Sequence, residues 1–276
     1  MARSPIIVLL TAACLSAGCP TGEGEGSVVG TFYLLGCDGT FDYGSHDTPA
    51  LYDMNADFFV GEPIVEEGSN PKNRLDLRIQ RGGNNIEDAD SLYIQIADVR
   101  AVAAHFAASQ GTPVGASDTT RATLLLYVTC PTFFGRLEAA GDPAGSSCPS
   151  LDASSLETLC TDVDYTAAVD PSAPFPPFSA DSSCILFCRF GTAERGGDVP
   201  DDFRVNFGDT VQGLFHLALG EQRLVESGAE ICADGRDNDG DGEVDEADCE
   251  PSAGGGRLLG RFSFEVRRGQ VAQEFP

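Results

Sequence analysis

The chain has 276 residues, 42% of them apolar, enough to bury a core and too many for a disordered chain. Its formal charge of −26 repels phosphate backbones and anionic headgroups, which excludes nucleic acid as a partner and favours cations or basic partners. Glycine (32) and proline (16) are abundant, lysine is scarce and tryptophan is absent, so strands and turns are expected rather than long helices.

The first segment, MARSPIIVLLTAACLSAGC, has one early cation, Arg3, and then the apolar run Ile6–Leu10 continuing through small residues. This is the n-region and h-region of an export signal, and it falls short of the roughly 20 apolar residues that span a bilayer. It ends in Leu15-Ser16-Ala17-Gly18-Cys19, which resembles the lipobox of bacterial lipoproteins. Two details depart from the pattern: Ser16 stands where leucine is commonest, and Leu15 is one place early. The resemblance implies a signal peptide over residues 1–18 and an acylated Cys19 that anchors the chain in a lipid bilayer of the bacterial envelope, the outer membrane. Pro20–Gly26, PTGEGEG, holds no core-forming residue, so 19–26 reads as anchor and flexible tether. Residues 27–276 are expected to form a single β-rich domain.

Within that domain, Gly26–Leu35 is rich in strand formers. Arg74–Gln80 (RLDLRIQ) alternates Leu75, Leu77 and Ile79 with Arg74, Asp76, Arg78 and Gln80, the pattern of a half-buried strand. Gly82-Gly83-Asn84-Asn85 is a turn signal, and Ser91–Asp98 follows with Leu92, Ile94 and Ile96 on one face, so the two strands are expected to pair antiparallel. Val99–Ala108 is alanine-rich and suits a short helix, and Ala122–Cys130 reads as a strand. Residues 136–183 are the least regular part, a disulfide-pinned elaboration rather than a second core, with a helical turn near Ser154–Leu159. Cys184–Phe190 and Phe203–Phe207 return to strand character. Val211–Leu219 and Leu258–Val266 share the pattern Gly-x-Phe-x-[Leu/Phe], which Gly30–Leu34 repeats, and are expected to be neighbouring antiparallel strands. His216 alternates with Phe215 and Leu217, which points it outward. The fold class expected is all-β, an antiparallel β-sandwich or open barrel.

Ten cysteines are present. Cys14 lies in the leader and Cys19 is the acyl site, and an even number in an exported chain reads as disulfides. Cys184 and Cys188 have no partner cluster with zinc-site spacing. Cys232 and Cys249 flank an acidic stretch closely enough to close it, a link that contributes about 3 kcal/mol. The other six allow 15 connectivities.

That stretch, Asp237–Asp248, reads DNDGDGEVDEAD, within a segment Glu230–Glu250 of ten acids and one base, Arg236. Ca2+ takes six to eight oxygens from a loop that turns sharply. Asp237, Asp239 and Asp241 stand at the first three ligand positions, followed by Gly242 at the turn, Glu243 for a backbone carbonyl, Asp245, and Asp248 at the last position. The standard loop has glutamate there, and the shorter arm must come closer. Pro251 and Gly254-Gly255-Gly256 stop any flanking helix, so the loop is EF-hand-like without the EF-hand. The run from Cys232 to Cys249 is similar to the metal-binding motif of MopE-type exported bacterial proteins and to thrombospondin type 3 repeats. With the leader and the closing sheet sequence it resembles bacterial envelope lipoproteins. The MopE motif carries an association with copper, which prefers imidazole, thiolate or thioether. The loop offers none once its cysteines pair, and Met54, His46, His105 and His216 are remote in sequence. One Ca2+ is therefore expected, in a disulfide-closed loop inserted between two late strands, with affinity of about 10⁻⁴–10⁻³ M.

No Gly-x-Ser-x-Gly elbow, His-Glu-x-x-His or phosphate-binding glycine loop occurs. The expectation is a non-enzymatic, lipid-anchored, calcium-binding envelope protein with a structural or surface-interaction role toward a protein or envelope polymer. The alternatives are an envelope hydrolase with its site in residues 136–183, or a metal-capture protein.

Overall fold

The computed structural model describes residues 24–35, 42–45, 47–65, 73–81, 89–115, 119–130, 136–139, 148–161, 177–178, 183–221, 231–232, 250–251 and 254–266. In chain order its elements are β1 (Gly24–Leu34), β2 (Ala50–Asp53), β3 (Phe58–Val65), β4 (Asn73–Arg81), β5 (Asp90–Ile96), α1 (Val99–Ala107), β6 (Thr112–Pro113), β7 (Thr120–Leu126) and β8 (Arg136–Ala139). They continue with α2 (Ala153–Thr161), β9 (Cys184–Phe190), β10 (Thr210–Glu221), β11 (Ile231–Cys232), β12 (Glu250–Pro251) and β13 (Gly254–Glu265).

The fold is an all-β antiparallel sandwich. One hydrogen-bonded path runs β2-β1-β13-β10-β8-β7-β5-β4-β3. It forks at β10, whose Val211–His216 half pairs with β9 and whose Leu219–Glu221 half pairs with β8. The fork yields two packed layers, β2-β1-β13-β10-β9-β6 and β8-β7-β5-β4-β3. Between them lies one core that includes Phe32, Phe215 and Phe262 from the first layer and Leu77, Ile79 and Ile94 from the second.

The Gly-x-Phe repeat has a physical cause. In the β10–β13 register Gly213 faces Phe262 and Phe215 faces Gly260. A Cβ on Gly260 would stand 2.3 Å from Phe215 Cζ, and one on Gly213 would stand 2.9 Å from Phe262 Cζ. Each phenylalanine therefore lies over the other strand's glycine, and the missing side chain is the seat for the ring. β1 adds to the far side of β13, with Gly30 opposite Leu258. This strand starts at Gly24, so the last three residues read as tether are strand. A Cβ on Gly24 would meet Phe59 of the opposite layer at 2.9 Å, and that close approach draws the glycines into the sheet.

The expected β4–β5 pair is antiparallel, with Leu77 opposite Ile94. The expected short helix is α1, capped by Asp98, which accepts from the backbone of Arg100 and Ala101. Other expectations need correcting. The strand predicted to reach Cys130 stops at Leu126, because the Asp90 carboxylate takes the Val128 and Thr129 N–H groups at 3.0 Å each and folds residues 127–130 into turns. Phe203–Phe207 is not a strand. Phe203 and Val205 are buried, but the backbone bonds locally, with Phe203 N–H to Pro200 C=O and Asn206 N–H to the Asp209 carboxylate.

The segment read as elaboration without a core carries a satellite one. Leu156 of α2 and Phe178 pack with Cys184, Leu186, Leu214 and Leu259 on the outer side of β9-β10-β13. α2 starts at Asp152, which accepts from the backbone and hydroxyl groups of Ser154 and Ser155; these bonds hold its carboxyl well below the usual range. Cystines 148–184 and 160–188 fasten this layer to β9. Cys130 is also disulfide-bonded. His216 does point away from Phe215 and Leu217, but this layer covers it. It is fully buried and its ring stacks on Phe178 at 5.9 Å.

Candidate functional site

The predicted cation ligands Asp237, Asp239, Asp241, Glu243, Asp245 and Asp248 lie outside the described residues, as do Cys19 and Cys249. The neck of the insert is described. β11 and β12 pair in parallel, Ile231 with Glu250 and Cys232 with Pro251, so the chain enters and leaves the acidic stretch side by side. The neck falls in the connection between β10 and β13, the two strands with the Phe-over-Gly contacts. Among the described residues no group of three or more His, Cys, Asp and Glu could hold a metal ion, and no helix is long and apolar enough to cross a membrane. Met54 and His216 are buried in place and His105 lies on α1.

A second constellation was not read from the sequence. β4 turns Leu75, Leu77 and Ile79 to the core and Arg74, Asp76, Arg78 and Gln80 away from it, as expected. Yet Asp76, Arg78 and Gln80 are themselves buried, at 8%, 7% and 0% exposure, so the strand is not half-buried. The outward side chains shield one another across strands. Glu62 (β3), Asp76 (β4), Gln95 (β5) and Arg121 (β7) stand in one cross-strand row, and Val60, Arg78, Tyr93 and Thr123 in the next.

The row is tied by charge-assisted bonds. Arg74 donates to Asp76 through Nε at 2.7 Å and through a terminal nitrogen at 2.5 Å, and Tyr93 donates its hydroxyl to the same carboxylate at 2.5 Å. In the amide orientation that satisfies both its polar atoms, Gln95 accepts from Arg74 at 2.8 Å. This two-pronged fork onto a carboxylate fixes orientation as well as energy. Burial and the bond to Asp76 push the Tyr93 phenol above its ordinary range, and the fork raises Arg74. Arg78 lies over the Phe58 ring at 5.1 Å, and burial lowers its guanidinium. At the far end of the same hairpin, Ser91 donates to Gln80 at 3.1 Å. The signal available in sequence was the Arg-x-Asp-x-Arg alternation facing Tyr-x-Gln in the adjacent strand, a polar set too complementary for a plain solvent face.

Asp90 forms a separate buried clamp. Besides the two backbone groups, it accepts from Tyr52 at 3.3 Å and Thr129 Oγ1 at 2.5 Å, and with burial this raises the Tyr52 phenol. With four donors on one carboxylate, it joins β2, β5 and the turn after β7 and serves structure.

Cystines are the chemistry of an oxidising compartment, and the two between β9 and the α2 layer are compatible with an exported chain. The chain matches no family model, no curated protein and no solved structure.

Proposed function

We propose that the protein is a lipid-anchored, calcium-binding component of the bacterial cell envelope with a structural or surface-interaction role and no catalytic activity. What carries the reading is the insert: ten acids among the 21 residues from Glu230 to Glu250, on a chain whose two ends meet at the β11–β12 neck. Like charges this dense repel unless a cation neutralises them. Their one-in-two spacing around Gly240 and Gly242 places oxygens as a hard dication requires. Cys19 after its apolar leader supplies the anchor, and Cys232 with Cys249 is the link that closes the loop.

The test is calcium-dependent melting of residues 20–276. At about a hundredfold excess over Kd, one native-state site stabilises by about 2.7 kcal/mol. The doubly substituted chain Asp237→Ala/Asp239→Ala should lose that increment while melting normally without calcium. Equal melting of the two with calcium present would sink the site. Calorimetry with calcium, copper and zinc checks the ion, and tighter binding of copper would reassign the loop to metal capture. A Cys19→Ala chain that still fractionates with membranes would remove the anchor.

A further inference from the structure

We propose that the lipid bilayer lies against one pole of the sandwich, the end where β1 and β10 begin, and that the neck of the acidic insert stands at the opposite pole. The proposal rests on the lipid-anchor reading above and adds the direction in which the anchored domain stands.

The poles follow from strand register. β1 begins at Gly24, opposite Phe264 near the end of β13, and finishes at Leu34, opposite Gly254 at the start of β13. β10 runs the same way as β1, from Thr210 opposite Glu265 to Gly220 opposite Gly255. The first pole therefore gathers the starts of β1 and β10, the end of β13, and residues 191–209 that lead into β10. Gly208 N–H bonds to Val266 C=O and Val266 N–H to Asp209 C=O, which seats that segment here. Phe207 lies in it, 47% exposed. The second pole holds the start of β13 and the end of β1, followed by Leu35 at 40% exposure. Pro251 of the neck is three residues from Gly254, so the neck stands within about 11 Å of this second pole.

Chain length rules out the inverted arrangement. Five residue steps separate Cys19 from Gly24, a reach of at most about 18 Å at full extension. Gly24 and Leu34 lie ten steps apart along one strand, about 33 Å. An acyl chain at Cys19 therefore cannot hold the second pole on the bilayer with the first pole away from it. Charge decides between an upright domain and a flat one. Glu230–Glu250 carries ten acids and one base, whereas residues 191–209 carry five acids and two bases. A flat domain would bring the denser charge down to the headgroups, where anionic lipids repel it. An upright domain holds the insert several Debye lengths of about 8 Å from the surface, where that repulsion is screened. The first pole is itself acidic, so the acyl chain and not attraction of charge keeps it down. The insert is thereby offered to a partner at a distance from the membrane rather than to lipid.

The chain has no tryptophan, so a single introduced one reports alone. The full chain, processed and lipid-modified in a bacterial host, is reconstituted in phosphatidylethanolamine–phosphatidylglycerol vesicles as Phe207→Trp, Leu51→Trp and Leu35→Trp. Leu51 is exposed on β2 opposite Thr31, between the poles. Energy transfer to a dansyl-labelled headgroup falls steeply with distance. The expected result is transfer in Phe207→Trp severalfold above that in Leu35→Trp, with Leu51→Trp between them. Asn206→Trp, at the neighbouring exposed position, should rank with Phe207→Trp and keeps the test valid if that chain does not fold. Equal transfer in all the chains would show a flat domain, and the strongest transfer in Leu51→Trp or Leu35→Trp would show another pole or face on the lipid; either overturns the proposal. Both outcomes leave the anchor standing, because flotation of the vesicles reports binding separately. A chain that does not float with the vesicles removes the anchor and this orientation together.

Discussion

The two layers of the sandwich turn outward faces of opposite character. On β9-β10-β13 the outward residues Leu186, Leu214 and Leu259 are apolar, and a cystine-fastened layer containing α2 and Phe178 seals them. On β4-β5-β7 the outward residues are Asp76, Arg78, Tyr93 and Thr123, and they shield one another through hydrogen bonds and stacking. Both faces come from the same period-two alternation. The difference teaches that alternation assigns a side chain to a face, while the residues on that face decide whether it is covered by chain or closed by its own bonds.

Mutations can break this contrast, the largest effect being common to both faces. Phe262→Ala empties the shared core under both layers, and urea unfolding should register a loss of about 3–5 kcal/mol. Removing cystine 148–184 with Cys148→Ser/Cys184→Ser should cost about 2–4 kcal/mol. Limited proteolysis should then cut residues 148–178 first, while the β4-β5-β7 face keeps its protection; simultaneous loss of both would deny their independence. Asp76→Asn removes the charge that the Arg74 fork and Tyr93 share, for about 1.5–3 kcal/mol in chemical denaturation, and should leave proteolysis of the α2 layer unchanged.

Tyr93→Phe sharpens the same face by pH. Its phenol is held protonated in the fold above its ordinary value near 10. The resulting stability is complete below that value and is lost as pH rises beyond it toward the folded pKa. Melting temperature followed above about pH 10 should fall less steeply in Tyr93→Phe than in the parent, with the Tyr52–Asp90 clamp accounting for slope that remains. The smallest effect belongs to neither face. The exposed Arg100–Asp201 ion pair should contribute under about 0.5 kcal/mol, so Arg100→Ala should melt like the parent in high salt.

Much of the sheet was legible because its strands alternate cleanly. Leu75-x-Leu77-x-Ile79 and Leu92-x-Ile94-x-Ile96 announced β4 and β5, and the shared Gly-x-Phe pattern announced that β1, β10 and β13 belong together. β3 went unread because Gly61 and Pro63 interrupt it; there a Cβ on Gly61 would stand 2.8 Å from the Phe264 ring, and Pro63 is tolerated on an edge strand. The end of β7 was misjudged because a side chain 38 residues away, Asp90, captures Val128 N–H. Nothing local encodes that. His216 was given its correct face and the wrong exposure, since the cover comes from residues distant in the chain. The acidic insert was legible as chemistry, because carboxylates at fixed spacing carry their own argument. The arginine face was not, because its bonds run between strands.

The neck of the insert also constrains its length. β11 and β12 run in parallel, and a two-residue hairpin turn can close only antiparallel strands; a parallel pair needs a connection of about a dozen residues or more. Seventeen residues separate Cys232 from Glu250. The connection can therefore accept additions freely but few removals: a chain trimmed below that limit must give up the β11–β12 pairing, whatever ion is supplied. Length here is a requirement of topology before it is one of coordination.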